Sequence, residues 1–396
     1  MARQFEKVFG TAPLKMYAKN LSFWERESFL SNIDVAIIGS GLVGLSAAIH
    51  LKEKHPKLQV VIFERGALPT GASTRNAGFA CFGSLTELMD DLKSQSEDEV
   101  FSLVEKRWRG LQRLRERVGD KNMDFQLNGN FELFKKEEVK LFQNCKDQLD
   151  FFNKKVRQAI GQKEKVYEEV DSQIDNFGFK NIKHLIKNNF EGQINTGKMM
   201  RRLLDLAIEK GVQILNGISI KEINDGSDKV HFLTENGWEI SANRILVTTN
   251  GFSKKLINDL DVTPARNQVL ITKPIENLKV KGCFHYDCGY VYFRNVGNRI
   301  LLGGARNLAK AEETTDQFGT TPLIKNALLE ILKTTILPNQ KIEVEQWWSG
   351  ILGLGNIKSP IVKMISKNVG VAVRMGGMGV AIGSLVGEEG AELMIK

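Results

Sequence analysis

Between Asp34 and Ile38 the chain is a short, almost unbroken apolar run, the pattern of a strand buried on both faces of a parallel sheet. Residues 45–51 read as helix, Pro56 stops it, and residues 60–63 repeat the buried-strand pattern. From about residue 84 to 160 the spacing is mostly helical: Ser96 and Glu99 form a capping box, and Val100, Val104, Trp108, Leu111 and Val118 mark one face. Residues 131–134 interrupt it as an alternating strand before helix resumes over 137–160. A helix over 197–210 closes at Gly211, and strand follows over 212–215 and 218–220. Asn236-Gly237 between 230–234 and 239–241 predicts a hairpin, and 244–250 predicts another apolar strand. Residues 267–272, 289–294 and 299–304 suit an antiparallel sheet. Last come a strand over 369–374, a glycine turn over 375–379 and a helix of small residues over 380–395. The order predicts an α/β fold of two units. A doubly wound parallel sheet takes residues 34–90, 185–260 and 347–396, and an α+β unit on an antiparallel sheet takes 91–184 and 261–346. Residues 1–33 form an N-terminal extension, in which 21–27 make a short amphipathic turn.

Strand, glycines and helix follow one another as a dinucleotide site requires. Gly39 permits the tight turn, Gly41 lets the backbone approach a pyrophosphate, and Gly44 lets helix and strand pack closely. The pyrophosphate then meets the positive end of the helix. Glu64, 20 residues after Gly44, is placed to accept hydrogen bonds from a ribose. Residues 66–79 are too rich in glycine and turn formers for a regular element and are a candidate functional loop. The second glycine turn also opens a helix, at the far end of the chain. Two such starts fit one long cofactor with two polar regions. The amides of residues 377–380 would face an electron-rich group such as the N1 and C2 carbonyl edge of a reduced flavin.

These motifs resemble the D-amino-acid oxidase superfamily of FAD-dependent oxidoreductases, through residues 34–44, Glu64-Arg65, 71–78, 246–251 and 376–387. Residues 21–25, Tyr292-Phe-Arg294 and Trp348-Ser-Gly350 ahead of Pro360 look most like its γ-glutamylputrescine oxidase branch. The resemblance implies a Rossmann-like FAD-binding domain and noncovalent FAD, since no cysteine stands near Trp348 or Ser349. Gly39, Ser40, Gly41, Leu42, Val43 and Gly44 would surround the pyrophosphate, with Glu64 and Arg65 at the ribose. Ala72, Ser73, Arg75 and Asn76 would wrap phosphate and flavin, and the Ile220 backbone would touch adenine. Thr249, Asn250 and Gly251 close a third turn, and Gly376, Gly377, Met378, Gly379 and Val380 the last one. The implied activity is oxidation of a C–N bond of a small amine or amino acid. Hydride passes to flavin N5, the imine hydrolyses in water, and O2 or an electron carrier reoxidises the flavin. His285, Tyr292 and Arg374 are the candidate catalytic residues. Leu352 stands where amino-acid oxidases of the superfamily usually hold a carboxylate-binding arginine. Lys358, Arg294 and Arg306 are other sources of positive charge.

Composition narrows this picture in a few respects. A net charge of +8 over 396 residues favours anionic partners weakly and admits an alternative, a flavoprotein that modifies a tRNA base. No nucleic-acid motif supports that alternative, and no specific nucleic-acid partner is expected. Four cysteines give neither a disulfide framework nor a zinc pattern, and five histidines have no ligand spacing, so no metal is expected. No stretch is long and apolar enough to span a membrane, and the first residues lack the order of a signal peptide. Reduced thiols in a cytoplasmic protein are the expectation.

Overall fold

In the computed structural model, which describes residues 21–338 and 340–395, the strand Ile33–Ile38 lies between two parallel neighbours, Val60–Glu64 and Glu239–Val247. Both faces are covered, which is why its residues need not alternate. Gln213–Asn216 extends the sheet beyond Val60–Glu64, and Val369–Val373 extends it beyond Glu239–Val247, both in parallel. Ile361–Met364 closes that edge antiparallel, and the hairpin of Ile220–Asp225 and Val230–Thr234 is tied to Glu239–Val247. Gly237, in the turn between Val230–Thr234 and Glu239–Val247, takes the positive φ, +86°, that this turn requires.

The helices Leu42–Lys54 and Gly379–Leu393 lie side by side on this sheet, although they come from opposite ends of the chain. Small residues allow it. A Cβ on Gly387 would stand 2.5 Å from the Val43 carbonyl oxygen, and one on Gly383 would stand 2.8 Å from a Leu42 methyl. The helix Glu97–Val118, capped by Ser96 and Glu99 as expected, packs on the outer side of Gly379–Leu393. Gly110 makes that crossing close, since its Cβ would lie 2.3 Å from the Ala381 carbonyl oxygen.

A second sheet of eight strands runs in the order Val344–Leu354, Thr263–Thr272, Arg299–Gly304, Val291–Val296, Cys283–Tyr286, Asn130–Lys135, Ile182–Asn188, Tyr167–Glu169. It is mixed and not purely antiparallel as expected. Two separate stretches of chain supply its halves, and they meet in parallel where Cys283–Tyr286 joins Asn130–Lys135. On one face Phe284 and Phe293 stack at 4.9 Å within the core that includes Ile324 and Leu328 of the helix Pro322–Ile331. The other face meets the loop after Val60–Glu64, through Tyr292 on Phe79, Arg294 on the Ala77 carbonyl and Trp348 on the Arg75 carbonyl.

The expected division of the chain needs correction at three places. The helix Glu97–Val118 serves both units: Leu103, Leu111, Leu114 and Val118 join the core of the nucleotide layer, while Val100, Phe101 and Val104 join Phe134, Phe142 and Phe152 in the unit expected. Residues 185–188 and 347–354, expected in the first unit, are strands of the second sheet. The helix expected over 137–160 is two, Val139–Asp147 and Leu149–Ile160, broken at Gln148. The loop 66–79 also holds more order than expected, with one helical turn, Ala72–Arg75, and the start of a two-residue strand, Phe79–Ala80, paired with Gly192–Gln193. Phe23–Phe29 is a short helix with a Ser22/Glu25 capping box and no buried residue. Residues 1–20, and with them the expectation about the first residues, lie outside the described residues. No described helix is long and apolar enough to cross a membrane.

Candidate functional site

A single elongated cavity runs from the hairpin to the two helix N-termini, with about 1330 Å³ free of protein atoms counted out to its mouth. Its glycines play different parts. Gly39 has φ +105°, which an L side chain rarely adopts. A Cβ on Gly44 would fall 2.0 Å from the Gly39 carbonyl oxygen, so Gly44 serves the packing of helix on strand. Gly41 faces the cavity, and within 4 Å its Cβ would meet only the Ser73 side chain, with Oγ at 3.0 Å. Gly41 gives the helix no side-chain cap, and Ser73 Oγ accepts from the Leu42 amide at 2.9 Å. The remaining first-turn amides have no intrahelical acceptor and are free for an anion.

Glu64 is buried on the cavity wall. Its carboxylate accepts from the Ser40 amide at 3.0 Å, the Ser40 hydroxyl at 2.8 Å and the Gly66 amide at 2.9 Å, so it braces the turn as well as lining the cavity. Beyond it the wall is formed by Ile218, Ser219 and Ile220, and by Arg65, whose guanidinium lies 3.8 Å from the Phe252 ring. At the opposite end Gly377 has φ +86° and open space where a Cβ would be, and the helix Gly379–Leu393 starts with no side-chain cap. Thr249 Oγ1, on the same wall, is buried without a hydrogen-bond partner. Two uncapped helix starts, a buried carboxylate and an orphaned hydroxyl along one cavity fit a dinucleotide carrying a polar ring system.

Most expected cofactor residues line this cavity: Gly39, Gly41, Leu42, Val43, Glu64 and Arg65 on one side, Ala72, Ser73 and Asn76 above them, and Ile220, Thr249, Asn250, Gly377, Gly379 and Val380 around the rest. Others stand behind the wall. Ser40 serves Glu64, Gly44 serves the helix, and Gly251 packs on the edge strand, where its Cβ would be 2.5 Å from the Leu352 carbonyl oxygen. Gly376 and Met378 shape the last turn without lining the cavity. Arg75 is a correction: its guanidinium donates to the Ser349 carbonyl at 3.0 Å and lies over Phe318, away from the cavity. Its own carbonyl accepts from Trp348 Nε1 at 3.0 Å, which ties the loop to the second sheet. Asn76 also folds the loop, donating to the Ala72 and Ser73 carbonyls and accepting from the Gly78 amide.

Arg374 does not serve as a free cation. It is buried at φ +67°, its guanidinium pairs with Asp261 at 2.5 Å and donates to the Ser359 carbonyl, and its amide donates to Asn250 Oδ1. It locks the last glycine turn to the Asn250 turn. Arg294 is likewise spent on the carbonyls of Ala77, Ile194 and Asn295.

Tyr292 and His285 are cross-strand neighbours, and their row across the sheet includes Gly303 and Glu132. Gly303 leaves room for the Tyr292 ring, which would stand 2.7 Å from a Cβ there. Tyr292 meets Phe79 of the cofactor loop edge-on at 5.7 Å, and its hydroxyl accepts from Asn267 Nδ2 at 3.5 Å. Burial pushes the phenol up to about 12. His285 lies deeper. Its Nδ1 is 3.1 Å from Asn130 Oδ1, and its Nε2 is 3.7 Å from Glu132 and has no hydrogen-bond partner. Burial alone would lower its pKa, but Glu132 and the neighbouring Glu191 and Glu87 raise it overall.

That histidine belongs to a buried ionic cluster which the sequence did not reveal. Arg107 donates to Glu87 at 3.2 Å, Lys358 meets Glu87 at 3.2 Å and Asp91 at 2.6 Å, and Glu191 accepts from the Phe82 and Gly83 amides and from Asn130. One signal was present: Arg107 interrupts the apolar face marked by Val104 and Leu111. Phe252, Lys255 and Leu256, which line the cavity after Gly251, carried no comparable signal. Cys81 is buried beside the Gly192 carbonyl, and burial pushes its thiol well up, as for an inert filler.

Comparison with known proteins gives a consistent picture. A family model described as FAD dependent oxidoreductase (DAO) matches residues 34–393. A probable oxidoreductase OrdL from Haemophilus influenzae is 21% identical over 403 residues, covering 92% of this chain and 84% of that protein. Among solved structures, L-proline dehydrogenase from P. horikoshii superposes with a TM-score of 0.72 at 16% identity, covering 92% of this chain and 94% of the other. Glycine oxidase from Geobacillus kaustophilus has a TM-score of 0.72 at 18% identity, covering 91% and 94%. With the cavity, its two helix starts and the family match over nearly the whole chain, this protein belongs to the DAO family of FAD-dependent oxidoreductases.

Proposed function

We propose that this oxidoreductase oxidises a C–N bond of a small amine or amino acid, with FAD held noncovalently. The observation that carries the reading is the contact between the cofactor loop and the polar face of the second sheet. Trp348 Nε1 bonds the Arg75 carbonyl there, Asn267 lies in the adjacent strand, and Tyr292 reaches Asn267 across Gly303 of the strand between them. When bound, the flavin supplies an acceptor for the hydride on the carbon beside nitrogen. The protein's own part is to orient and to exclude water. Tyr292 stays protonated at neutral pH and offers an O–H donor. Asn267 Oδ1, buried and without a partner, offers an acceptor to an amine N–H. Phe79, Val269, Leu301 and Trp348 form an apolar surround near Ala77 that keeps water from the amine. His285 acts as a positioning residue through the Glu132 cluster and reaches no part of the cofactor cavity.

The test is anaerobic. The purified holoprotein is mixed with amines, N-methyl amino acids and acylated polyamines while the flavin band is recorded. Loss of the oxidised band with at least one of them, restored by O2 or by an artificial carrier, is the expected result. A flavin that chemical reductants bleach but no amine or amino acid does would end the proposal.

A further inference from the structure

The segment 313–321 is anchored at both ends in the second sheet. Arg266 meets the Glu313 carboxylate through two parallel hydrogen bonds, at 2.8 and 2.9 Å, and all four groups of this anchor, with Gln268 and Thr321, are buried. Gln268 donates to Glu313 and to the Thr321 hydroxyl and accepts from the Thr321 amide. Between the anchors the segment leaves the sheet, and residues 317–320 are exposed. There it crosses to the nucleotide layer. The Asp316 carboxylate pairs with Lys255 at 2.6 Å, and the Phe318 ring lies 6.0 Å from the Phe252 ring and 4.3 Å from the Arg75 guanidinium. The Gly319 amide donates to Ser349 Oγ at 2.9 Å, and the carbonyl of the same serine takes the Arg75 guanidinium. With Arg65 at 3.8 Å from Phe252, the side chains Arg65, Phe252, Phe318 and Arg75 form one row of alternating cations and rings. Phe252 and Lys255 line the cavity, whereas Asp316 and Phe318 do not, so the segment braces that wall from behind. Arg65 and Lys255 are exposed residues of the wall, so the cavity meets solvent beside the row.

We propose that residues 314–320 form a strap that opens and closes this side of the cavity and sets the rate at which FAD enters and leaves. The contacts of the strap are made between protein groups and are complete without the cofactor. They hold the wall closed whether or not FAD is bound, and a contact that favours neither state changes the rate of passage and not the affinity. The Lys255–Asp316 pair is the part of the strap that salt can loosen, since it lies at the surface where ions screen it. The inference needs FAD in the cavity but not the proposed C–N oxidation.

Release is measured on the holoprotein by exchange of bound FAD for an excess of a spectrally distinct FAD analogue, and uptake on the FAD-stripped chain by quenching of FAD fluorescence. Phe318→Ala should speed both by about fivefold or more, with Kd within about twofold of the parent. Asp316→Asn should speed both by about two- to fivefold in dilute buffer and match the parent in about 1 M salt, while Asp316→Glu keeps the slow rates. FAD-stripped variants should melt with the FAD-stripped parent, because the Glu313 anchor is untouched. Parental rates in Phe318→Ala would overturn the proposal. Faster release with unchanged uptake would do the same, since the strap would then be an ordinary binding contact, as would a lower melting temperature of the stripped variants, which would make faster exchange a general loosening.

Discussion

Gly41 and Gly44 are three residues apart in one motif, yet the structure gives them opposite consequences. At Gly41 a side chain would project toward the cavity and disturb little besides Ser73, whereas at Gly44 even a methyl group would run into the Gly39 backbone. Gly41→Val should therefore fold with the thermal stability of the FAD-stripped parent and retain no flavin. Gly44→Ala should lower stability by about 1–3 kcal/mol or more through overpacking. Thermal unfolding of both chains, with flavin content measured on the same samples, separates the two roles. A yellow, fully loaded Gly41→Val would show that no pyrophosphate approaches that residue. The dinucleotide motif was legible in the sequence because each glycine acts on atoms a few residues away. Arg374 was not, because its partner Asp261 lies 113 residues away in the chain. The same limit hid which cations remained free, for the partners of Arg294 and Arg75 are carbonyls on distant strands and loops.

At the scale of elements, local periodicity located the central strands of the first sheet and the long helices, since burial on a sheet or a helix face writes its own spacing into the chain, but it did not mark Ile182–Asn188, Cys283–Tyr286, Val344–Leu354, Ile361–Met364 or the helix Pro322–Ile331. It did not say which layer an amphipathic helix joins. The helix Glu97–Val118 divides its apolar residues between two cores, and only the three-dimensional contact of Gly110 with Ala381 reveals its packing on the nucleotide layer. The contact between Leu42–Lys54 and Gly379–Leu393 carries the cofactor site, and it has a polar clamp at its far end. Glu392 lies 2.6 Å from His50 Nε2 and 2.5 Å from Lys54 Nζ, which hold its carboxyl at about 2, against an ordinary value of 4.5. A carboxyl depressed in the folded state contributes stability above its unfolded pKa, and that contribution is lost as pH falls from about 4.5 through about 2. Acid titration should therefore release flavin in that window, and Glu392→Gln should move the release midpoint upward. An identical midpoint in the variant would remove the clamp from the account. On the apolar side of the same contact, Gly387→Leu would force the two helices apart against the Val43 carbonyl, so both flavin content and melting temperature should fall.

For the whole molecule, the central claim is that turns near the two ends of one chain converge on a single FAD. Residues 39–44 would hold its phosphates and residues 377–380 its ring edge, with the second sheet roofing the reaction space. The class of fold and the line of the cavity followed from the sequence. The mixed sheet and the ionic cluster under His285 did not, because each is assembled from segments whose meeting no local pattern encodes. The most direct measurement is equilibrium binding of FAD to the FAD-stripped chain and to two variants, Gly41→Val and Gly377→Val, each altered at one end of the cavity. The account predicts one FAD per parental chain and a severe loss of affinity in both variants, with the overall fold preserved by circular dichroism and the strain of valine at φ +86° confined to the Gly377 turn. A folded Gly377→Val that binds FAD as tightly as the parent, or a folded parental chain that takes up none, would contradict it.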